Sequence, residues 1–129
     1  MSGSETTTHG IRVTVKSEFS PERSDLAAGR WFFLYTITIT NEGSETVQLL
    51  TRHWIISDGE GHVEEVRGDG VVGAQPVLRP GESFRYTSGC PLETAFGTMH
   101  GSYRMTTGEG RQFDVEIAPF ALSEPFGIN

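Results

Sequence analysis

An antiparallel β-sandwich is the fold class that this 129-residue sequence predicts. Three observations carry the reading. Apolar residues recur at period two along nearly every run, the spacing of half-buried strands. Sixteen glycines and six prolines punctuate those runs. No stretch reads as a helix, and no internal repeat suggests a solenoid. About seven strands follow, with a barrel as the competing arrangement.

The elements can be justified in order. Residues 1–9 are rich in Ser and Thr and hold no apolar core, so they read as a flexible leader, with one domain over residues 10–129. Ile11, Val13 and Val15 alternate with Arg12, Thr14 and Lys16 to give a first strand. The polar stretch from Ser20 to Arg30, broken by Pro21 and Gly29, reads as a loop. Trp31 to Asn41 is the strongest strand, with Phe33, Tyr35, Ile37 and Ile39 on one face and Thr36, Thr38 and Thr40 on the other. Trp31, Phe32 and Phe33 are consecutive, so alternation sends one large ring away from the face of the other two.

Val47 to Ser57 is a further long strand, and Asp58-Gly59-Glu60-Gly61 turns it into a return strand over His62 to Arg67. Pro80-Gly81 makes another turn before a strand from Ser83 to Ser88. The final hairpin joins Gly97 to Thr107 with Arg111 to Ile117 through Gly108-Glu109-Gly110. A three-residue loop sets Met105 opposite Phe113, Tyr103 opposite Val115, Gly101 opposite Ile117, Arg104 opposite Asp114 and Ser102 opposite Glu116. A two-residue loop would instead pair apolar with polar residues along the whole ladder. With no pair of cysteines to bridge the sheets, a fibronectin-type-III-like arrangement is the better analogy than an immunoglobulin domain.

Composition excludes several function classes. The formal charge is −7, and the nine arginines and single Lys16 are scattered, so nucleic acid is not expected as the main partner. Cys90 is the only cysteine, which excludes an internal disulfide and points to a reducing, cytoplasmic compartment. No apolar run nears the ~20 residues that span a bilayer, so no membrane insertion is expected.

Arg67-Gly68-Asp69-Gly70-Val71-Val72-Gly73 contains a G-x-G-x-x-G run. In a dinucleotide-binding unit such glycines admit a pyrophosphate, and the helix behind them adds its positive end. Here Pro76 and Pro80 forbid that helix. Kinase and P-loop versions need a downstream lysine, and Lys16 lies far upstream. Two readings of Gly68, Gly70 and Gly73 stay open: a tight loop shaped by positive φ, or a nest of amide N–H groups holding a small anion, with Asp69 repelling it.

His9, His53, His62 and His100 show no ligand spacing, and strand geometry separates His53 from His62 by roughly 10–15 Å, so no metal site is assigned. Cys90 precedes Pro91 and has no neighbouring base, and Ser88 and Ser102 lie outside any nucleophile elbow; no catalytic residue is assigned and no cofactor is expected. Arg52 and Trp54 share a strand face. Either Trp54 is exposed beside Arg52 as a binding anchor, or it is a core residue with Arg52 over it. The tail from Pro119 to Asn129, with Phe120, Leu122 and Phe126, is expected to cover a sheet edge or to pair with a second copy as a homodimer.

An ordered set of motifs spans most of the chain: Gln48-Leu49-Leu50, Arg52-His53-Trp54-Ile55-Ile56, Gly68-Asp69-Gly70-Val71-Val72-Gly73, Gln75-Pro76, Pro80-Gly81-Glu82, Tyr86-Thr87-Ser88-Gly89-Cys90 and Gly97-Thr98-Met99-His100-Gly101-Ser102-Tyr103. From about Ile11 onward the chain resembles the bacterial ApaG family. The resemblance implies a fibronectin-type-III-like sandwich, a genetic association with cobalt resistance and magnesium efflux, and no established enzyme activity. It also implies a suspected nucleotide or pyrophosphate site at Gly68, Gly70 and Gly73, and related domains that look like protein-interaction modules. The expectation is therefore a non-catalytic module that contacts an unidentified protein partner through Arg52, Trp54 and the 68–73 loop. The alternative is a small-anion or nucleotide binder at the glycines.

Overall fold

Two antiparallel sheets pack face to face in a computed structural model that describes residues 2–125. The strands are β1 (Ser2–Thr8), β2 (Ile11–Phe19), β3 (Trp31–Asn41), β4 (Val47–Asp58), β5 (Val63–Asp69), β6 (Val77–Leu78), β7 (Ser83–Leu92), β8 (Phe96–Thr107) and β9 (Gln112–Ser123). One sheet runs β1-β2-β3-β7; the other runs β5-β4-β8-β9, with β6 paired to β4. The Ser20–Arg30 loop holds two short 3₁₀ turns, Pro21–Arg23 and Leu26–Ala28.

Alternation fills the space between the sheets as the sequence predicts. Ile11, Val13 and Val15 of β2 and Phe33, Tyr35, Ile37 and Ile39 of β3 are buried, and the intervening threonines face outward. Of the three consecutive rings, Phe33 enters the core. Phe32 points the other way and lies under Arg23, whose guanidinium carbon sits 5.8 Å from the ring centre. The last hairpin adopts the three-residue loop, and all five predicted cross-strand pairs form. Gly110 takes φ +86°, the left-handed position that this loop requires.

Several elements differ from expectation. Residues 2–8, read as a flexible leader, form β1. Its Ser and Thr backbone completes a ladder with β2 from Ser2↔Ser17 to Thr8↔Ile11, so sequence polarity did not preclude a strand. β7 continues through Cys90 to Leu92, and Pro91 is tolerated because β7 is an edge strand. β9 continues past Ile117 through Pro119 to Ser123. The tail thus pairs with β8 inside the sandwich, with Phe120 and Leu122 buried, while Phe126 lies outside the described residues.

Two bulges explain how these long strands stay amphipathic. β4 carries Leu50 as an extra residue against β8, because Leu49 faces Met105 and Thr51 faces Arg104. The side-chain phase flips there, so odd Leu49 and even Trp54 both point inward. In β9, Ala118 and Pro119 together oppose His100, between the pairs Gly101↔Ile117 and Met99↔Phe120. The flip takes the buried set from Val115 and Ile117 to Phe120 and Leu122.

The two sides of the sandwich are built differently. On one side β1 and β2 lie against β9, and hydroxyls stitch the seam. Ser4 Oγ donates to Ala118 O at 2.8 Å, Ser17 Oγ to Ala121 O at 2.7 Å, and the Glu116 N–H to Thr8 Oγ1 at 3.2 Å. On the other side the edge strands β5 and β7 stay apart, and a cleft opens between them.

Candidate functional site

The cleft encloses about 380 Å³. β4 and β5 supply one wall, with Arg52, Trp54, Ile56, Glu64 and Val66; β7 supplies the other, with Tyr86, Ser88, Cys90 and Pro91. Tyr35 and Met99 reach it from the core, and Val71 and Val72 close the end at the glycine run. A second hollow, lined by Arg30, Asp58, His62, Val63 and Glu93, shares Ile56, Glu64 and Pro91 with the first, so the groove continues along the open side.

Trp54 is 3% exposed. Its ring packs edge-on against Tyr35 and Phe120, with centroids 5.5 and 5.9 Å away. It is the core residue of the two alternatives, and the exposed Trp/Arg anchor does not form. The reason is the Leu50 bulge, which aims position 54 between the sheets.

Arg52 is half-buried and serves the glycine run directly. Its Nη1 donates to Asp69 O and to Gly70 O, both at 2.9 Å. The guanidinium lies flat over Gly68, where a Cβ would stand 2.8 Å from Nη2. Glycine at 68 thus gives the guanidinium room to stack, and a side chain there would displace Arg52 rather than strain the backbone. Among the described residues Arg52 makes no ion pair with a carboxylate.

Gly70 and Gly73 have backbone reasons. Val71 and Ala74 exchange both hydrogen bonds, at 2.8 and 2.9 Å, around a two-residue turn. Both central residues, Val72 (φ +42°) and Gly73 (φ +81°), have positive φ, as a type I′ turn demands. Gly70 is also left-handed, at φ +63°, and its N–H donates to Leu50 O at 2.9 Å. The amides of Gly70, Val71 and Ala74 are therefore engaged within the chain. No helix follows Gly73; β6 does, through pairing with Val47 and Gln48. Asp69 ends β5 and offers its carbonyl to Arg52.

Burial governs the titratable groups inside. Desolvation pushes the Cys90 thiol up to about 12, with the Glu64 charge adding to it. Desolvation also raises the phenols of Tyr35, Tyr86 and Tyr103. Tyr86 and Tyr103 share a short hydroxyl–hydroxyl hydrogen bond that joins β7 of one sheet to β8 of the other. All four groups are held protonated at neutral pH.

The histidines that the sequence kept apart have separate partners. His53 Nε2 meets Glu65 Oε1 at 2.8 Å on the outer face of β4 and β5. That hydrogen bond is the largest influence on Glu65 and holds its carboxyl below the ordinary range. His62 Nδ1 meets Asp58 Oδ2 at 3.0 Å across the β4–β5 turn. The bond to Asp58 raises His62. Partial burial pulls Asp58 upward, but the N–H groups of Glu60 and His62 and the His62 ring together hold it low.

Sequence reasoning singled out Arg52, Trp54 and the glycines; Arg52 and Trp54 line the cleft, and the glycine run reaches its end through Val71 and Val72. It missed Tyr35, Ser88 and Glu64 as cleft residues. The available signal was alternation: Tyr35 lies on the inner face of β3. Its opposition to Ser88 depends on a β3–β7 register that no short turn sets. No helix among the described residues is long and apolar enough to cross a membrane.

Comparison with known proteins matches this geometry to a family. The ApaG domain model matches residues 21–107. Protein ApaG of Bradyrhizobium sp. (strain ORS 278) is 58% identical over 120 residues, which cover 93% of this chain and 92% of the relative. Protein ApaG of Methylobacterium radiotolerans is 58% identical over 118 residues, covering 92% and 91%. The crystal structure of the putative ApaA protein from Bordetella pertussis aligns with a TM-score of 0.87 at 52% identity, covering 90% of this chain and 94% of that one. Matched over two thirds of its length by the family model and over nine tenths or more by these relatives, the chain belongs to the ApaG family.

Proposed function

We propose that this chain is a non-catalytic binding module that receives a protein partner on the open side of its sandwich. The observation that carries the reading is the asymmetry between the two sides. One is stitched shut by hydroxyls, while the other holds a cleft with Arg52 unpaired to any carboxylate among the described residues. Val72, 59% exposed, stands at its rim, and Val63, 63% exposed, lines the hollow that continues it. Exposed apolar residues around a concave surface with an arginine are the composition of a recognition patch.

The chemistry inside supports binding over catalysis. A thiol at about 12 is a poor nucleophile at neutral pH. His53 and His62 bond to carboxylates, and no histidine among the described residues lines the 380 Å³ cleft or bonds to its serine or cysteine. The small-anion alternative would need outward amides in the 68–73 loop, and those of Gly70 and Val71 are already engaged. The association of the family with cobalt resistance and magnesium efflux fits the same proposal, with the module acting on cation transport through its partner.

Filling the cleft tests this reading. The full chain and its Ser88→Trp variant are compared in partner capture from cells grown with and without cobalt, with Lys16→Ala as a surface control. Partners held by the wild type and Lys16→Ala should be lost from Ser88→Trp while its circular dichroism is unchanged. Equal recovery with all three chains would count against the proposal.

A further inference from the structure

We infer that the partner binds as an extended strand added to the edge of β7, with a carboxylate side chain turned inward to Arg52. This deepens the binding-module reading and rests on it.

The backbone of β3 shows which groups of β7 are free. In an antiparallel ladder, the N–H and C=O of one residue point to the same neighbour, and successive residues alternate sides. Phe32 and Glu42 serve the β2 side: Phe32 O accepts from Ser20 N–H, and Glu42 N–H donates to Gly10 O, each at 2.8 Å. Asn41 serves the other side, where its N–H donates to Glu82 O at 2.9 Å. The register then turns Phe84, Tyr86, Ser88 and Cys90 of β7 toward β3, opposite Ile39, Ile37, Tyr35 and Phe33. The N–H and C=O groups of Arg85, Thr87 and Gly89 consequently point off the edge of the sheet. Among the described residues nothing bonds them from that side.

The other edges facing the seam or the cleft are managed. Hydroxyls of β1 and β2 meet the β9 backbone. The β5 edge carries the charged pair Glu65 and Arg67, with Nη2 3.3 Å from Oε1. Over Thr87 to Gly89 the edge has neither charge nor proline. Pro91, without an N–H, ends the donor row.

A strand laid there extends the β1-β2-β3-β7 sheet across the mouth of the cleft. Its side chains then point alternately inward and outward. At the glycine end an inward residue meets the Arg52 guanidinium, whose bonds run only to neutral carbonyls; a carboxylate there gains charge-assisted hydrogen bonds. Two residues along, the inward neighbour meets Val66 and Ile56, and Glu64, opposite Ile56 on the same wall, disfavours a second acidic side chain there. A second copy is a poor occupant through the same edge. Ser83 to Leu92 contains no Asp or Glu, and pairing two copies of β7 would add a second Arg85 instead of a carboxylate.

The test selects linear dodecapeptides from a random displayed library on the full chain. Enriched peptides should carry Asp or Glu two residues from an aliphatic or aromatic residue. On ¹⁵N-labelled chain they should shift the amides of Arg85, Thr87 and Gly89 and slow their hydrogen exchange at least tenfold. Thr87→Pro removes an outward N–H while the backbone bonds to β3 run through its neighbours Tyr86 and Ser88, and should weaken binding at least tenfold. It also removes the Thr87 hydroxyl bond to Thr36, so Thr87→Val, which loses only that bond, should bind as the wild type does. N-methylating the peptide amides that face β7 should do the same on unmodified protein. In Arg52→Gln the preference for a Glu peptide over its Gln version should vanish. The inference is overturned by peptides that bind Thr87→Pro and N-methylated forms undiminished, by shifts confined to other strands, or by a library without a saturable binder. A concentration-dependent doubling of mass that Thr87→Pro abolishes would also overturn it, in favour of a second copy. Cellular partners lost from Ser88→Trp but retained by Thr87→Pro would remove strand addition and leave the binding module standing.

Discussion

Val72 is the residue whose own conformation is least favourable. A β-branched side chain at φ +42° pays the left-handed penalty of about 1–2 kcal/mol, because its Cβ crowds the following carbonyl. With 59% of its surface exposed, it recovers little of that through burial. Asn at this position gives Asn-Gly, the preferred pair for a type I′ turn. Val72→Asn should therefore stabilise the fold by about 1 kcal/mol, read as a higher urea midpoint at unchanged slope. That an unfavourable valine stands at the rim of the cleft agrees with a role in contact, since strain is tolerated where a surface is used.

At the scale of elements, the bulges decide whether a strand stays useful beyond its first half. Deleting Ala118 removes the extra residue of β9 and shifts everything after it by one position. Phe120 and Leu122, buried now, would turn outward. Each such side chain is worth about 2–3 kcal/mol, so the deletion should cost on the order of 5 kcal/mol, close to the whole stability of a small domain. A thermal melt and dye binding to exposed apolar surface would check it. The same bulges mark where the sequence was legible and where it was not. Strict alternation made the buried faces of β2 and β3 readable, and made the β8–β9 hairpin readable down to cross-strand partners because a glycine loop fixed its register locally. Pro119 looked like a stop because a bulge and a breaker have the same residue signature. β1 was missed because pairing of its backbone, rather than apolar content, forms it. At the cleft, Arg52 and the glycines were visible as a motif. Ser88 and Tyr35 were not, since β3 and β7 meet across some forty residues of intervening chain.

For the whole molecule, the closed seam holds the early and late parts of the chain together. Ser17 is 2% exposed, and its hydroxyl satisfies the carbonyl of Ala121 in the opposite sheet at 2.7 Å. Ser17→Ala would strand that carbonyl at a cost of about 1–2 kcal/mol. The melting temperature should fall on the order of 5 °C, while the cleft side keeps its amide shifts. On the cleft side the phenol pair of Tyr86 and Tyr103 ties the two sheets directly. That tie works as a depth stop. It fixes the gap at one hydroxyl plus one hydroxyl, so the partner strand proposed above would enter laterally by a single tier of side chains. For such a partner, selectivity would be written in the sequence of what lies along the opening, because reaching deeper would gain nothing.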